Sequence, residues 1–230
     1  MKQNHTILAI ETGTEACSVA LTHAGKISER FVHAPQQQAN LVLPMVDAVL
    51  TEAGLKPTQL DAVAYGCGPG SFTGLRVAAA VTQGIAVAAD LPVIPVSTLA
   101  VIAQGVFREY GHTAVIAAID ARMQEIYWGY YRLQDELMVL NGAEQVSAPT
   151  AIGLPPATAE WAGACSGWRA YPEVLRERLQ PAVVYPEFWP RAAHMLELAQ
   201  VLWLRHETVD AAGAAPVYLR NDVARPKTAQ

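Results

Sequence analysis

Gly66-Cys67-Gly68-Pro69-Gly70-Ser71-Phe72-Thr73-Gly74-Leu75-Arg76 is the stretch from which the fold is read. Before it lies an apolar run, Ala62-Val63-Ala64-Tyr65, with the character of a buried strand. After it, residues 77–89 are alanine-rich and long enough to be helix. The stretch is therefore a strand-to-helix turn. Three glycines and a proline within its first five residues demand a tight backbone, with positive φ expected at one or more glycines. Ser71 or Thr73 is placed to cap the first free amides of the helix. Such a turn has two readings. Its amides contact phosphate, as helix starts do, or its glycines let the helix end pack closely on a neighbour. No Lys-Ser/Thr follows the glycines, which excludes a P-loop, and Pro69 and Thr73 stand where a nucleophile elbow needs glycine.

The helix carries a second message. Gly70, Gly74, Ala78, Thr82 and Ala86 recur every four residues and share one slowly drifting face. Ala80, Gly84 and Ala88 form another small-residue line. After Arg76 no charge appears until Asp90, so this helix is expected to be covered on two sides, by its own sheet and by something else. A partner chain is one candidate for that cover.

Composition bounds the rest. The 230 residues are 52% hydrophobic and 16% charged, which fits a large buried fraction and argues against disorder. The apolar runs are broken before they reach the length of a membrane span, and Met1-Lys2-Gln3-Asn4-His5 shows no signal-peptide pattern. Cys17, Cys67 and Cys165 make no CxxC pair, and a reducing cytoplasm fits three buried thiols. Net charge is -5 without a Lys/Arg cluster, so contact with nucleic acid is expected through a partner.

Outward from the turn, the chain reads as a repeat. Three strands (6–10, 17–21, 27–31) lead to a helix over 35–53. That helix is apolar round most of its circumference, with Leu41 and Met45 on one side and Val42, Val46 and Val49 on another. Pro44 inside it predicts a kink. Strand 60–65, the helix after the turn, strand 91–97 and a helix over 98–110 follow. The opening pattern then returns: strands over 113–119, 125–131 and 137–140, with Ile119-Asp120-Ala121-Arg122 where Ile10-Glu11-Thr12-Gly13 stood. This is an internal duplication. Trp161-Ala162-Gly163-Ala164-Cys165-Ser166-Gly167-Trp168 reads as a strand entering a glycine turn, 171–179 as a short helix and 191–207 as a long amphipathic one. The tail from Pro216 reads as extended.

Taken together, Ile10-Glu11-Thr12-Gly13-Thr14-Glu15-Ala16-Cys17-Ser18-Val19-Ala20, Leu43-Pro44-Met45, the Gly-Pro-Gly turn, Ile119-Asp120-Ala121-Arg122-Met123 and Pro216-Val217-Tyr218-Leu219-Arg220 resemble the bacterial TsaB (YeaZ) family, nearly end to end. The resemblance implies a two-lobed α/β fold of the actin/Hsp70/sugar-kinase (ribonuclease H-like) kind. Its lobes would span residues 1–110 and 111–190, with 191–230 packing back across them. It implies a non-catalytic companion of TsaD, the transferase that places threonylcarbamoyl on adenosine 37 of tRNAs reading ANN codons. The implied partners are a TsaD-like transferase, a TsaE-like ATPase and, when alone, a second copy. The tRNA would be met only indirectly. Docking would use the two long helices, through Leu41, Met45, Val49, Gly70, Gly74, Ala78 and Thr82. Thr12, Gly13 and Thr14 would be a vestigial nucleotide loop, with no cofactor held tightly and ATP or ADP only at the assembled complex. One departure stands out: Gln38-Ala39 replaces the His-Ser/Thr common in the family.

The residues themselves point the same way. The six histidines never fall three or four apart, so no helix offers a metal pair of the kind a TsaD-type enzyme uses. Asp120 at a strand end is either a general base, as in sugar kinases, or a turn residue. Arg76 either binds an anion or pairs with a carboxylate. The rival to a scaffold is an active enzyme of the same fold, an ATP-dependent phosphotransferase or a peptidase. Activity of the lone protein separates the two.

Overall fold

A computed structural model describes residues 5–155 and 159–220. Residues 1–4 and the last part of the tail, 221–230, lie outside the described residues. The first lobe runs β1 (Ile7–Glu11), β2 (Ala16–His23), β3 (Lys26–His33), α1 (Gln38–Ala53), β4 (Ala62–Gly68), α2 (Phe72–Ala89) and β5 (Val93–Ser97), followed by α3 (Thr98–Tyr110). The second runs β6 (Ala114–Arg122), β7 (Glu125–Gln134), β8 (Leu137–Leu140), β9 (Gln145–Ser147), β10 (Ala162–Ala164), α4 (Ser166–Ala170), α5 (Pro172–Leu179) and β11 (Val183–Tyr185); α6 (Ala192–Leu204) closes the helical part.

The first sheet has order β3-β2-β1-β4-β5 and the second β11-β10-β6-β7-β8. Read from the repeat's own start, both are the same arrangement: a meander of three strands with two parallel strands added beside the first. In the first lobe Ile7 pairs with Thr22 antiparallel and with Ala62 parallel. In the second, Ile116 pairs with Tyr130 antiparallel and with Gly163 parallel. The duplication read from the sequence is therefore real, and the fold is the two-lobed ribonuclease H-like one.

Strand alternation assigns the core. Leu8 and Ile10 point to the face covered by α1 and α2, whereas Ile7 and Ala9 point to the face covered by α6. Both faces are buried, so β1 is apolar from Ile7 to Ile10 instead of alternating. The N-terminus of α6 is fixed to the first lobe through Glu29, which receives Arg191 at 2.6 Å, and through Ser18, whose hydroxyl oxygen accepts from the Ala192 amide at 2.9 Å. Helix α3 follows the first lobe in sequence but packs Leu99, Ile102 and Val106 against Val115 and Ala117 of the second. It is the wedge between the lobes, and this explains its burial over most of its length.

Several sequence details changed on folding. α1 begins at Gln38, three residues later than read, and Gly54 ends it in the left-handed conformation. The strand before Cys165 is short, and Ser166-Gly167-Trp168 opens α4 instead of forming a turn. Strands β9 and β11, three residues each, carry no readable pattern. Helix α2 gains a first turn from the Gly-rich stretch. At 18 residues it becomes long and apolar enough to cross a membrane by length and composition, yet its Ala78, Thr82 and Ala86 lie against the protein's own sheet.

A filled phosphate loop and a two-helix apolar face

The turn at the end of β4 folds as its glycines require. Gly68 has φ +120°, the Gly68–Pro69 peptide is cis, and Ser71 caps α2 by accepting from the Gly74 amide at 3.4 Å. Its tip then lies on the β1–β2 loop. The Ser71 amide donates to the Gly13 carbonyl at 2.7 Å, and the Thr12 hydroxyl donates to the Gly74 carbonyl at 2.7 Å. A Cβ on Gly70 would overlap the Gly13 carbonyl, and one on Gly74 the Thr12 carbonyl. Of the two readings of the glycines, close packing describes this structure.

That packing occupies the loop expected to hold nucleotide. The Gly13 amide donates to Glu11 Oε1 at 2.6 Å, and the Thr14 hydroxyl accepts from the Ala16 amide at 3.3 Å. The Gln38 side-chain amide donates to the Thr14 carbonyl at 2.7 Å. Thr12, Gly13 and Thr14 are buried. The Thr12 hydroxyl and the Gly13 amide and carbonyl are thus bonded within the chain, while Gly13 and Thr14 still line the cleft in front of them. Beneath them Glu11 is fully buried, and desolvation pushes its carboxyl up to about 7 against the opposing hydrogen bonds from Gly13 and Thr98.

A cleft of about 690 Å³ remains between the lobes in front of this plug. One wall is the α2 start, with Ser71 and Phe72; the other is the β6–β7 hairpin, with Asp120 and Arg122. Asp120 behaves as a turn residue. Its Oδ1 accepts from the Arg122 amide at 2.9 Å, and its other oxygen pairs with the Arg122 guanidinium at 2.9 Å. Arg122, Met123 and Gln124 hold φ of +60°, +53° and +62° in succession. The hairpin tip is secured by Arg220, which donates to the Ala121 carbonyl at 3.1 Å and to Glu125 at 3.0 Å. Arg220 lies on a strap that begins on the first lobe. There Tyr65 donates to the Ala215 carbonyl at 2.9 Å, and the Val217 amide to the Cys67 carbonyl at 2.7 Å. Away from the strap, Glu144 accepts the hydroxyls of both Ser97 in the first lobe and Tyr131 in the second. Burial pushes its carboxyl up while these bonds pull it down.

In the second lobe Trp168 stands in α4 and is turned into the core. It is buried against Gly163, with Nε1 donating to the Ile116 carbonyl at 3.1 Å. Among the described residues no group of three His, Cys, Asp or Glu side chains is arranged to hold a metal ion.

A family model described as "TsaD: tRNA N6-adenosine threonylcarbamoyltransferase" matches residues 32–166. The tRNA threonylcarbamoyladenosine biosynthesis protein TsaB of Escherichia coli (strain K12) is 42% identical over 225 residues, covering 96% of this chain and 97% of that one. The protein of the same name from Haemophilus influenzae is 41% identical, covering 96% of each. The crystallised YeaZ from Pseudomonas aeruginosa is 46% identical and superposes with a TM-score of 0.89 over 94% of this chain and 100% of that one.

The chain belongs to the TsaB (YeaZ) family.

In this TsaB-family chain, α1 and α2 lie side by side on one face of the first sheet. Leu41, Met45, Val77, Val81 and Ile85 are half-buried and pack against its core. The outward surface is apolar: Leu43 is 56% exposed and Val87 73%. The docking residues expected from the resemblance divide. Leu41, Met45 and Gly70 are partly accessible, but Val49, Gly74, Ala78 and Thr82 are buried within the chain and cannot touch a partner in this conformation. The reason is helical phase. α2 has two small-residue lines, and the one through Gly74 and Ala78 faces the sheet. The line through Ala80, Gly84 and Ala88 faces outward. An added Cβ on Gly84 meets nothing within 4 Å.

Three features escaped the sequence reading: Glu11 as a buried carboxylate, Glu144 as a bolt between lobes, and Gln38 as a latch on the loop. Glu11 had a signal, a charged residue ending an otherwise apolar strand. Glu144, in a polar loop, had none.

Proposed function

We propose that this protein is a non-catalytic docking subunit in tRNA threonylcarbamoyladenosine formation. It presents the α1/α2 face to a TsaD-like transferase, with a TsaE-like ATPase as the third component. In the transferase's absence a second copy covers the same face. The supporting observation is the outward surface of α1 and α2. Exposed Leu43 and Val87 flank a line of small residues that leaves room for another backbone. A glycine in mid-helix costs roughly 0.5–1 kcal/mol relative to alanine, so Gly84 is a net loss unless something packs against it. Catalysis by the lone chain finds less support, because the Thr12 hydroxyl and Gly13 carbonyl of the first loop are taken up by the α2 turn. tRNA contact, ATP or ADP binding and the transfer step accordingly belong to the assembly.

Reconstitution tests this. Transferase, ATPase and this chain together should modify tRNA, and leaving this chain out should cut the rate sharply. ATP turnover or peptide cleavage by the purified chain, or an unchanged rate without it, would refute the proposal.

A further inference from the structure

Helix α2 carries one charged residue in 18, and its environment is unusual. The Arg76 guanidinium lies 3.8 Å from the centre of the Phe72 ring, and its Nε donates to the Tyr218 hydroxyl at 3.1 Å. Tyr218 itself packs on Phe72 with ring centres 5.6 Å apart, and the strap holds it there through the Val217–Cys67 bond. Thus a flexible, exposed side chain is fixed by two aromatic residues from separate parts of the chain. Among the described residues its recorded partners are neutral. Arg30, Arg108, Arg122, Arg169, Arg191 and Arg220 each pair with a carboxylate. Arg76 lies on the strap side of the outward α2 surface, at the edge of the apolar face.

We propose that Arg76 is the charge anchor of that face. It receives an Asp or Glu carboxylate from the helix of the transferase that packs on α1 and α2. This inference rests on the docking reading above and adds to it the chemistry of the partner. A guanidinium offers a planar fork suited to bidentate binding of a carboxylate. Stacking on Phe72 leaves the fork's edge free, and Tyr218 reduces the freedom lost when the bond forms. At the rim of an apolar surface such a pair sets orientation and association rate more than total affinity. Asp47 stands exposed on α1, so the face carries opposite charges on its two helices. The complementary partner carries its carboxylate opposite α2.

The test is calorimetry of the wild type, Arg76→Met, Arg76→Glu, Tyr218→Phe and Val87→Asp against the TsaD-family transferase of the same organism, at low and high salt. Arg76→Met keeps the apolar stem on Phe72 and removes the charge. It should weaken binding about 10-fold at low salt and flatten the salt dependence, Arg76→Glu should weaken it about 100-fold, and Tyr218→Phe should fall between wild type and Arg76→Met. Unchanged unfolding midpoints confirm that each variant is folded. If Val87→Asp abolishes binding while Arg76→Met matches the wild type at both salts, the anchor is wrong and the docking face stands. If the wild type does not bind, both are wrong. If sedimentation shows Arg76→Glu altering self-association alone, the occupant is a second copy and the proposal is overturned.

Discussion

The Thr12 hydroxyl donates to the Gly74 carbonyl at 2.7 Å, joining the first hairpin loop to the first turn of α2. This bond decides how the protein's most conspicuous motif is read. The glycines of the Gly-Pro-Gly turn bring a helix start down onto the Thr12-Gly13-Thr14 loop.

Gly74→Ala tests the closeness of that approach. The new methyl would overlap the Thr12 carbonyl, a backbone atom unable to move aside cheaply. A loss of about 2–3 kcal/mol is expected in urea unfolding, at the upper end for overpacking. A variant as stable as the wild type would show that the two loops separate easily.

Glu11→Gln tests the buried carboxyl. Its folded pKa of about 7 exceeds its ordinary 4.5, so the folded state holds this proton more tightly than the unfolded one. The group costs nothing below pH 4.5. Its penalty grows as pH rises from 4.5 to about 7 and levels off above that at roughly 3 kcal/mol. Glutamine keeps an acceptor for the Gly13 amide and cannot ionise. The variant should match the wild type near pH 4 and exceed it in stability at pH 8, measured by urea unfolding. Parallel pH profiles would place the Glu11 titration elsewhere.

Much of this was legible before folding, and the limits have physical causes. Apolar periodicity revealed the duplicated meander because the central strands are buried on two faces and leave unbroken runs such as Ile7-Leu8-Ala9-Ile10. Composition pointed to an α2 covered on two sides; its own sheet covers one, and the other is exposed in this chain. It could not reveal helical phase, since Gly74-Ala78-Thr82 and Ala80-Gly84-Ala88 are equally small, and the sheet's choice of the first follows from the turn beneath it. Nor could Thr12-Gly13-Thr14 disclose that its hydroxyls and amide are engaged. Glu11 and Ala16 are neighbours in the chain, but Gly74, which accepts from the Thr12 hydroxyl, and Gln38, which donates to the Thr14 carbonyl, meet the loop only in the folded chain.

Gly84→Ala separates folding from docking by sign. With open space around the new methyl, the isolated protein should gain roughly 0.5–1 kcal/mol from helix propensity. Association with the transferase should weaken, because another backbone can no longer approach as closely. A variant gaining both stability and affinity would mean that Gly84 lies outside the contact.

Arg220→Ala tests the strap. The guanidinium ties Glu125 and the Ala121 carbonyl to a segment anchored on the first lobe. Removing it should cost about 1.5–3 kcal/mol, the range for hydrogen bonds to charged groups. It should also increase amide exchange in the β6–β7 hairpin. Unaltered hairpin protection would show that the turn's three left-handed residues stand without it.

The most direct measurement is calorimetric titration of the TsaD-family transferase with wild type and with Val87→Asp. Val87 is 73% exposed, so the substitution leaves the isolated fold intact while setting a carboxylate in the apolar face. The account predicts tight binding by the wild type and a loss of about 100-fold or more in the variant. Equal affinity for both would contradict it, because the transferase would then be meeting some other surface.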